Sequence, residues 1–112
     1  MGLLTKESLE SALFAKPTLD VEIPELGGSV RIRTLTGTER ERWEHETVLE
    51  RKDNRSTMRA RMVALAVVGE NGQPLWNELD VQRIGESNSK ILDRIYRAVM
   101  EHNTLAPQAA GK

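Results

Sequence analysis

Near the N-terminus, apolar and polar residues alternate in two short runs. Residues 18–23 have an apolar side chain at every second position, which is the period of a half-buried strand. Residues 29–34 repeat the pattern, and Gly27-Gly28 between the runs can adopt the positive φ angles of a tight reversal. The pattern predicts an antiparallel β-hairpin in which Arg31 and Arg33 face solvent.

The remaining apolar positions follow the 3.6-residue period of helices. Thr5 and Asn77 are predicted N-caps, and Thr36 with Glu39 has the spacing of a capping box. The predicted helices cover residues 6–14, 37–52, 55–68, 77–84 and a last segment that opens at Ser87 or Ser89. The helix over 55–68 is apolar on nearly all sides, so we expect it to be the most buried element.

These elements predict an α+β fold that is mainly α-helical. A single domain is expected over residues 18–103, with an N-terminal β-hairpin at about 18–34 and three to five helices. Residues 1–17 are predicted to form a short helical segment before the domain. Residues 104–112 are small and polar, and are predicted to be a flexible C-terminal tail.

The helix predicted over 37–52 is highly charged and carries few apolar residues. Its only apolar side consists of Trp43, Thr47 and Val48, so the helix either packs lightly against the domain or binds a partner. For Trp43, a core position is favoured over an interface position, although tryptophan is also enriched where binding energy concentrates. The predicted partner-binding residues of this helix are Arg40, Trp43, Glu44, Thr47 and Arg51.

The composition excludes several classes of function. The 112 residues include 16 basic and 17 acidic ones, so a net charge of −1 provides no overall field toward nucleic acid or anionic membranes. The chain has no cysteine, which excludes disulfides and thiolate zinc sites and fits a cytoplasmic location. The pattern of a signal peptide and an apolar run of membrane-spanning length are both absent, so no membrane association is expected.

The residues that most often carry catalysis are sparse. His45 and His102 are the only histidines, and each is better explained by a surface or helix-end position than by catalysis. The carboxylates alternate with Arg and Lys along the helices, as on a solvated face, and do not form an isolated acid–base pair. We therefore expect no enzyme activity, no cofactor and no metal site.

A basic cluster is the best candidate for contact with nucleic acid. Its members are Arg51, Lys52, Arg55, Arg59 and Arg61. Over residues 39–61, however, seven basic residues are mixed with six acidic ones, and no interleaved aromatic residues are available for base stacking. Binding to nucleic acid is therefore not favoured.

Three blocks of the sequence, in this order and spacing, resemble the tail assembly chaperones of long-tailed bacteriophages. The blocks are VEIPELGGSVRIRTLTGTER at 21–40, RARMVALAVVGENGQPLW at 59–76 and SKILDRIYRAVMEHNTL at 89–105. Leu26, Gly69 and His102 depart from the family pattern, in which an aromatic, an acidic residue and a leucine are usual at these places. The departures are expected to affect partner contacts only, because the family has no catalytic residues.

The resemblance implies a non-enzymatic helper in tail morphogenesis. Such a protein binds the tape measure protein, recruits subunits of the major tail tube protein and works in the host cytoplasm. It is not expected in the mature virion, and homo-oligomerisation is an open alternative to a single copy. Two other readings stay open: a structural tail or head–tail joining protein of the virion, and a small nucleic-acid-binding regulator.

Overall fold

The computed structural model describes residues 2–52 and 57–104. Within them, three strands form an antiparallel sheet in the order β1-β2-β3: Thr18–Ile23 (β1), Gly28–Arg33 (β2) and Val67–Val68 (β3). Five α-helices accompany the sheet: Lys6–Phe14 (α1), Gly37–Lys52 (α2), Met58–Ala66 (α3), Val81–Gly85 (α4) and Ser89–His102 (α5). The predicted α+β fold with an N-terminal hairpin is confirmed.

The hairpin has the predicted strands but a longer turn. Val21 pairs with Val30, and Ile23 pairs with Gly28, so Gly28 already belongs to β2. The chain reverses through a 3₁₀ turn at Pro24–Leu26, and Gly27 alone takes a positive φ, of 72°. The prediction of a two-glycine reversal was wrong, because a 3₁₀ turn needs only one left-handed residue to return the chain to the sheet.

The two arginines of β2 do not share a solvated face as predicted. Arg31 donates to both carboxylate oxygens of Asp20 across the hairpin, at 2.7 and 3.1 Å. Arg33 lies deeper: its guanidinium donates to both oxygens of Glu39 and to the Leu65 carbonyl oxygen. The side chain of Arg33 is only 22% exposed, because it ties β2 to the start of α2.

The central helix is shorter than its apolar pattern indicated. It ends at Ala66, and Val67 and Val68 instead form β3, where Val67 pairs with Ile32. Both valines are β-branched, so little helix propensity is lost and a third strand is gained. The prediction that this element is the most buried one is confirmed, since five of its nine residues are buried. Residues 55 and 56 of the predicted helix lie outside the described residues.

Two buried clusters form the core around α3. The larger one joins the sheet, α2, α3 and α5 through Ile32, Leu35, Trp43, Met62, Val63, Ala66, Val67 and Val99. The smaller one joins α3 to α4 through Ala60, Ala64, Val81 and Ile84. Trp76 packs against both clusters, so the segment that returns from β3 to α4 links them.

The C-terminal elements begin and end at polar caps. Asn77 caps a 3₁₀ turn at Glu78–Asp80 as predicted, and the chain continues directly into α4. Helix α5 begins at Ser89, one of the two predicted start positions, and its N-cap is Asn88, whose side chain accepts from two backbone N–H groups. The Ser87 hydroxyl instead donates to the Ile84 carbonyl oxygen at the end of α4. None of the described helices combines the length and the apolar character needed to cross a membrane.

Candidate protein-binding surface

The position of α2 is fixed at its N-terminus by a capping box. The Thr36 hydroxyl accepts from the Glu39 backbone N–H at 3.1 Å, and the Glu39 carboxylate accepts from the Thr36 N–H at 2.9 Å. The two hydrogen bonds from Arg33, together with those from Thr36, lower the pKa of Glu39 from 4.5 to about 2, although partial burial opposes the shift. The start of the helix therefore depends on an ionised glutamate.

The stability of the fold should accordingly depend on the charge of Glu39. A carboxyl whose pKa is lowered in the folded state adds stability above its unfolded pKa, and this is lost as the pH falls from about 4.5 toward 2. We expect Glu39→Gln to cost about 1–2 kcal/mol at pH 6, after discounting for solvent screening, and almost nothing near pH 2. Urea denaturation of both chains at several pH values measures this difference. Glu41→Gln, on the exposed side of α2, is the control, and an equal cost of Glu39→Gln at both pH values would contradict the assignment.

The inner face of α2 holds two of the predicted partner-binding residues. Trp43 is 6% exposed, and its indole N–H donates to the Met58 carbonyl oxygen at 2.9 Å. Thr47 is also buried, and its hydroxyl donates to the Trp43 carbonyl oxygen at 2.8 Å. Trp43 attaches α2 to α3, whereas the hydrogen bond of Thr47 stays within α2, and both side chains present almost no surface to a partner.

The other three predicted residues lie nearer to solvent. The guanidinium of Arg40 stacks on the Trp43 ring, 5.7 Å from its centroid, and lies 3.7 Å from the Glu44 carboxylate. Glu44 and Arg51 are exposed. The structure thus brings Arg40, Trp43 and Glu44 together on one side of the helix. A partner-binding role for the five residues stays a prediction.

The outer face of α2 carries an apolar pair that the sequence prediction did not separate from the core side. Val48 is 53% exposed and Leu49 is 46% exposed. They are surrounded by exposed polar residues of the same helix: Glu41, Arg42, Glu44, His45 and Lys52. The signal that could have found them is the register of Trp43 and Thr47, because these two residues, four apart, fill the buried side and turn Val48 and Leu49 outward.

At the junction of α2 and α3, Arg61 of α3 forms ion pairs with three glutamates. Its guanidinium lies 3.1 Å from the Glu46 carboxylate and 3.5 Å from that of Glu50, and it also pairs with Glu78. Glu50 in addition accepts from the backbone N–H and the hydroxyl of Thr57. Burial opposes the ionisation of Glu50, but the bonds from Thr57 and the charge of Arg61 outweigh it and lower its pKa. These charged groups bind one another across the α2–α3 junction.

The residues considered for chemistry are dispersed in the structure. His45 is exposed on α2, whereas the Nε2 of His102 lies 3.1 Å from the Pro17 carbonyl oxygen and 3.0 Å from the Thr34 hydroxyl. Over residues 2–52 and 57–104, no group of three histidine or carboxylate side chains is placed to hold a metal ion. The lowered pKa values of Glu39 and Glu50 come from hydrogen bonds and ion pairs with neighbouring groups of the fold, Arg33 and Thr36 for the first and Thr57 and Arg61 for the second.

The basic cluster proposed for nucleic acid is divided among different surroundings. Arg61 is enclosed by the three glutamates, and Arg59 lies over the Tyr96 ring and pairs with Asp93. Arg51 and Lys52 are exposed at the end of α2. Arg55 lies outside the described residues. Two of the four described cations are therefore already paired within the chain.

No protein-family model matches the chain, and no curated protein sequence matches it. Among solved structures, the tail assembly chaperone of bacteriophage HK97 superposes with a TM-score of 0.64 over 91% of this chain and 99% of the other. The chain has the fold of a phage tail assembly chaperone. The sequence identity over this match is 18%, so the likeness concerns the fold.

The correspondence with the HK97 chaperone includes nearly the whole chain, so it is a likeness of complete domains. It agrees with the family that the three sequence blocks resemble, although the individual motifs are degenerate. In this chaperone fold the hairpin and α3 build the framework, and α2 is the element with both a buried anchor and an exposed apolar pair. The outer face of α2 is therefore the candidate protein-binding surface.

Proposed function

We propose that this protein is a phage tail assembly chaperone that binds the tape measure protein and recruits tail tube subunits to it, without catalysing a reaction. The observation that carries the proposal is the fold shared with the HK97 tail assembly chaperone over 91% of the chain. The three sequence blocks, which resemble the same family, support it independently of the superposition.

The surface of α2 suits such a client. A tape measure protein is expected to be a long, helix-rich chain with apolar stripes that need shielding before the tube assembles around it. Val48 and Leu49 offer a small apolar contact inside a ring of mixed charges. Each contact of this size is weak, but many copies along one client would together bind tightly. The client would be shielded yet released when tube subunits replace the chaperone.

The proposal places the protein in the host cytoplasm during assembly and outside the finished particle. This separates it from a structural tail or head–tail joining protein, which remains in the virion. Mass spectrometry of purified virions distinguishes the two. We expect peptides of the tail tube and the tape measure protein to be detected, and peptides of this chain to be absent.

Co-expression with the tape measure protein encoded near the gene tests the client. We expect the tape measure protein to move from the insoluble to the soluble fraction and to be retained on an affinity-tagged copy of this chain. Adding the tail tube protein should yield a complex of all three. If the client remains insoluble and nothing is retained, this chain is not sufficient as a chaperone. The hypotheses to test are then a structural protein of the virion and a nucleic-acid-binding regulator.

The exposed pair on α2 should be needed for that retention. We expect Val48→Ser combined with Leu49→Ser to weaken binding of the client by roughly tenfold or more, since exposed apolar anchors often carry interface energy. The matched control is Leu19→Ser combined with Leu75→Ser, two residues about as exposed but outside α2. Equal retention of the client by both double variants would remove α2 as the binding surface. Free energies of unfolding within about 0.5 kcal/mol of the wild type would show that both variants are folded.

A further inference from the structure

A cavity of about 530 Å³ lies between the start of α3 and the first half of α5. Its charged lining consists of three cations, Arg59, Lys90 and Arg97, and one carboxylate, Asp93. These side chains give the cavity a net charge of +2, whereas the whole chain carries −1. The cavity is separate from the candidate protein-binding surface, since no residue of α2 is part of its described lining.

The position of Asp93 shows that this cavity accommodates a carboxylate. The Nε of Arg59 lies 3.2 Å from one carboxylate oxygen of Asp93, and the Nε of Arg97 lies 2.8 Å from the other. The guanidinium of Arg59 also lies over the Tyr96 ring, 5.6 Å from its centroid, which holds it in place. Each guanidinium carries five N–H donors, more than the shared carboxylate can accept, so both can bind a further anion.

The cations of the cavity are accessible from solution. The side chains of Arg59 and Arg97 are 53% and 75% exposed, and Lys90 is exposed as well. The side chain of Asp93, which lies between the two guanidiniums, is only 35% exposed. The exposed part of the charged lining is therefore mainly basic, and it attracts negatively charged groups.

Folding separates the charges of this region, which the sequence intermixes. Arg59 follows a helix in which acidic and basic residues alternate. In the folded chain Glu46 and Glu50 pair with Arg61, and Glu50 also accepts from the hydroxyl of Thr57 at the edge of the cavity. Because both glutamates are bound there and neither lines the cavity, the basic character of the cavity is preserved.

The uncharged part of the lining favours a polypeptide over a nucleic acid. Its apolar side chains are Met58 and Ala60 of α3 and Leu92 of α5, and Met58 and Leu92 are partly exposed. A sugar-phosphate backbone has no apolar side chain to place there, and the described lining includes no aromatic ring on which a base could stack. Clusters of arginine beside apolar surface are a common means of recognising acidic peptide motifs.

We propose that this cavity binds an acidic segment of a partner protein, in which carboxylates flank an apolar side chain. The apolar side chain lies against Met58 and Leu92, and the flanking carboxylates pair with Lys90 and Arg97. A contact that depends on exposed charges forms rapidly and is weakened by salt. The proposal does not rest on the proposed function, because the cavity and the outer face of α2 share no residue.

Fluorescence anisotropy with the purified full chain tests the site. The probe is a short labelled peptide in which glutamates flank leucines, and a second peptide has glutamine in place of every glutamate. We expect the acidic peptide to bind at low ionic strength, and the glutamine peptide to bind roughly tenfold more weakly. Lys90→Gln combined with Arg97→Gln should raise the dissociation constant of the acidic peptide by roughly tenfold.

The chain offers a matched control for this double variant. Lys16→Gln combined with Arg42→Gln also removes one exposed lysine and one exposed arginine, and neither residue lines the cavity. Arg42 pairs with a carboxylate four residues away on its own helix, as Arg97 does. The control should bind the acidic peptide within about twofold of the wild type, because its charges are screened from the cavity. Urea denaturation of both double variants verifies that they are folded.

A further variant should change binding in the opposite direction. Asp93→Asn removes the carboxylate that competes with the ligand for Arg59 and Arg97. We therefore expect the acidic peptide to bind about two- to fivefold more tightly. Weaker binding would show that Asp93 supports the shape of the cavity and does not compete with a ligand, which contradicts the proposal.

Three other outcomes would overturn the proposal. If the wild type binds the acidic peptide no better than the glutamine peptide, carboxylates are not recognised. If the control variant weakens binding as much as the change of Lys90 and Arg97, the attraction is a general one between charges. If a single-stranded DNA oligonucleotide binds more tightly than the acidic peptide and depends on the same two residues, the cavity is a nucleic-acid site. None of these results bears on retention of the tape measure protein, so the proposed function is tested separately.

Discussion

Replacing Trp43 by alanine is expected to lower the free energy of unfolding by about 3–5 kcal/mol, the range for removing a buried aromatic side chain. The indole is 6% exposed and packs in the larger core cluster, and it also supplies the hydrogen bond to the Met58 carbonyl oxygen. Domains of this size have a total stability of roughly 5–15 kcal/mol, so the variant should be close to unfolding at 37 °C. Urea denaturation followed by circular dichroism measures the change.

Two further substitutions separate packing from the hydrogen bond. Trp43→Phe keeps much of the aromatic volume but leaves the Met58 carbonyl without its donor, and should cost less than the alanine. Val48→Ala removes an exposed side chain from the same helix and should cost less than about 0.5 kcal/mol. A loss below 1 kcal/mol for Trp43→Ala would contradict its placement in the core.

This expectation changes how the binding surface must be tested. If Trp43→Ala abolished retention of a client, the loss would follow from an unfolded α2 as readily as from a lost contact. The pair Val48 and Leu49 avoids that ambiguity, because both side chains are about half exposed and no core cluster includes them.

Replacing Arg61 by methionine is expected to cost about 3 kcal/mol. The substitution leaves three glutamates without their shared cation, and removing one partner of a buried ion pair costs about 3–5 kcal/mol. We expect a loss at the lower end of this range because the cluster is only partly buried. The side chains of Arg61 and Glu50 are 17% and 13% exposed, and Glu78 is largely exposed. Urea denaturation at pH 7 measures the loss.

The chain offers a matched control for this experiment. Arg42 also binds Glu46, at 3.2 Å, but its side chain is 81% exposed. Arg42→Met should therefore cost less than about 0.5 kcal/mol. Adding Glu46→Gln and Glu50→Gln to the Arg61 variant should recover part of its loss, because the uncompensated charges are removed. Equal losses for Arg61→Met and Arg42→Met would show that burial does not strengthen the Arg61 cluster.

Elements defined by local chemistry could be predicted from the sequence. The alternation at residues 18–23 predicted strand β1, and Pro24 ends it. The capping box of Thr36 and Glu39 placed the start of α2 at Gly37, because its hydrogen bonds involve only neighbouring residues. Predictions of this kind depend on contacts within one turn or one strand pair.

Where the prediction was wrong, a distant partner decided the outcome. Val67 and Val68 continue the apolar pattern of α3, yet β2 recruits them through the pairing of Val67 with Ile32, thirty-five residues earlier. Arg33 looked like a solvent-facing strand residue until Glu39 and the Leu65 carbonyl oxygen were placed beside it.

The candidate protein-binding surface, too, could be predicted only in part from the sequence. The sequence indicated that α2 has too few apolar residues to be buried all round, and that one of its sides could bind a protein. It did not indicate which side, since Trp43, Thr47 and Val48 lie close together in the pattern. Docking of α2 on α3 buried the first two and turned Val48 outward beside Leu49.

The two strands of the hairpin, the capping box of α2 and the approximate helices could be predicted from the sequence, because each depends on residues close together in the chain, and the order and spacing of three blocks gave the resemblance to the chaperone family. Which charges are paired, where α3 gives way to β3 and that α1 buries none of its residues became visible only in the folded chain. These features depend on which surfaces meet in the folded chain, and burial removes from water groups that are far apart in sequence.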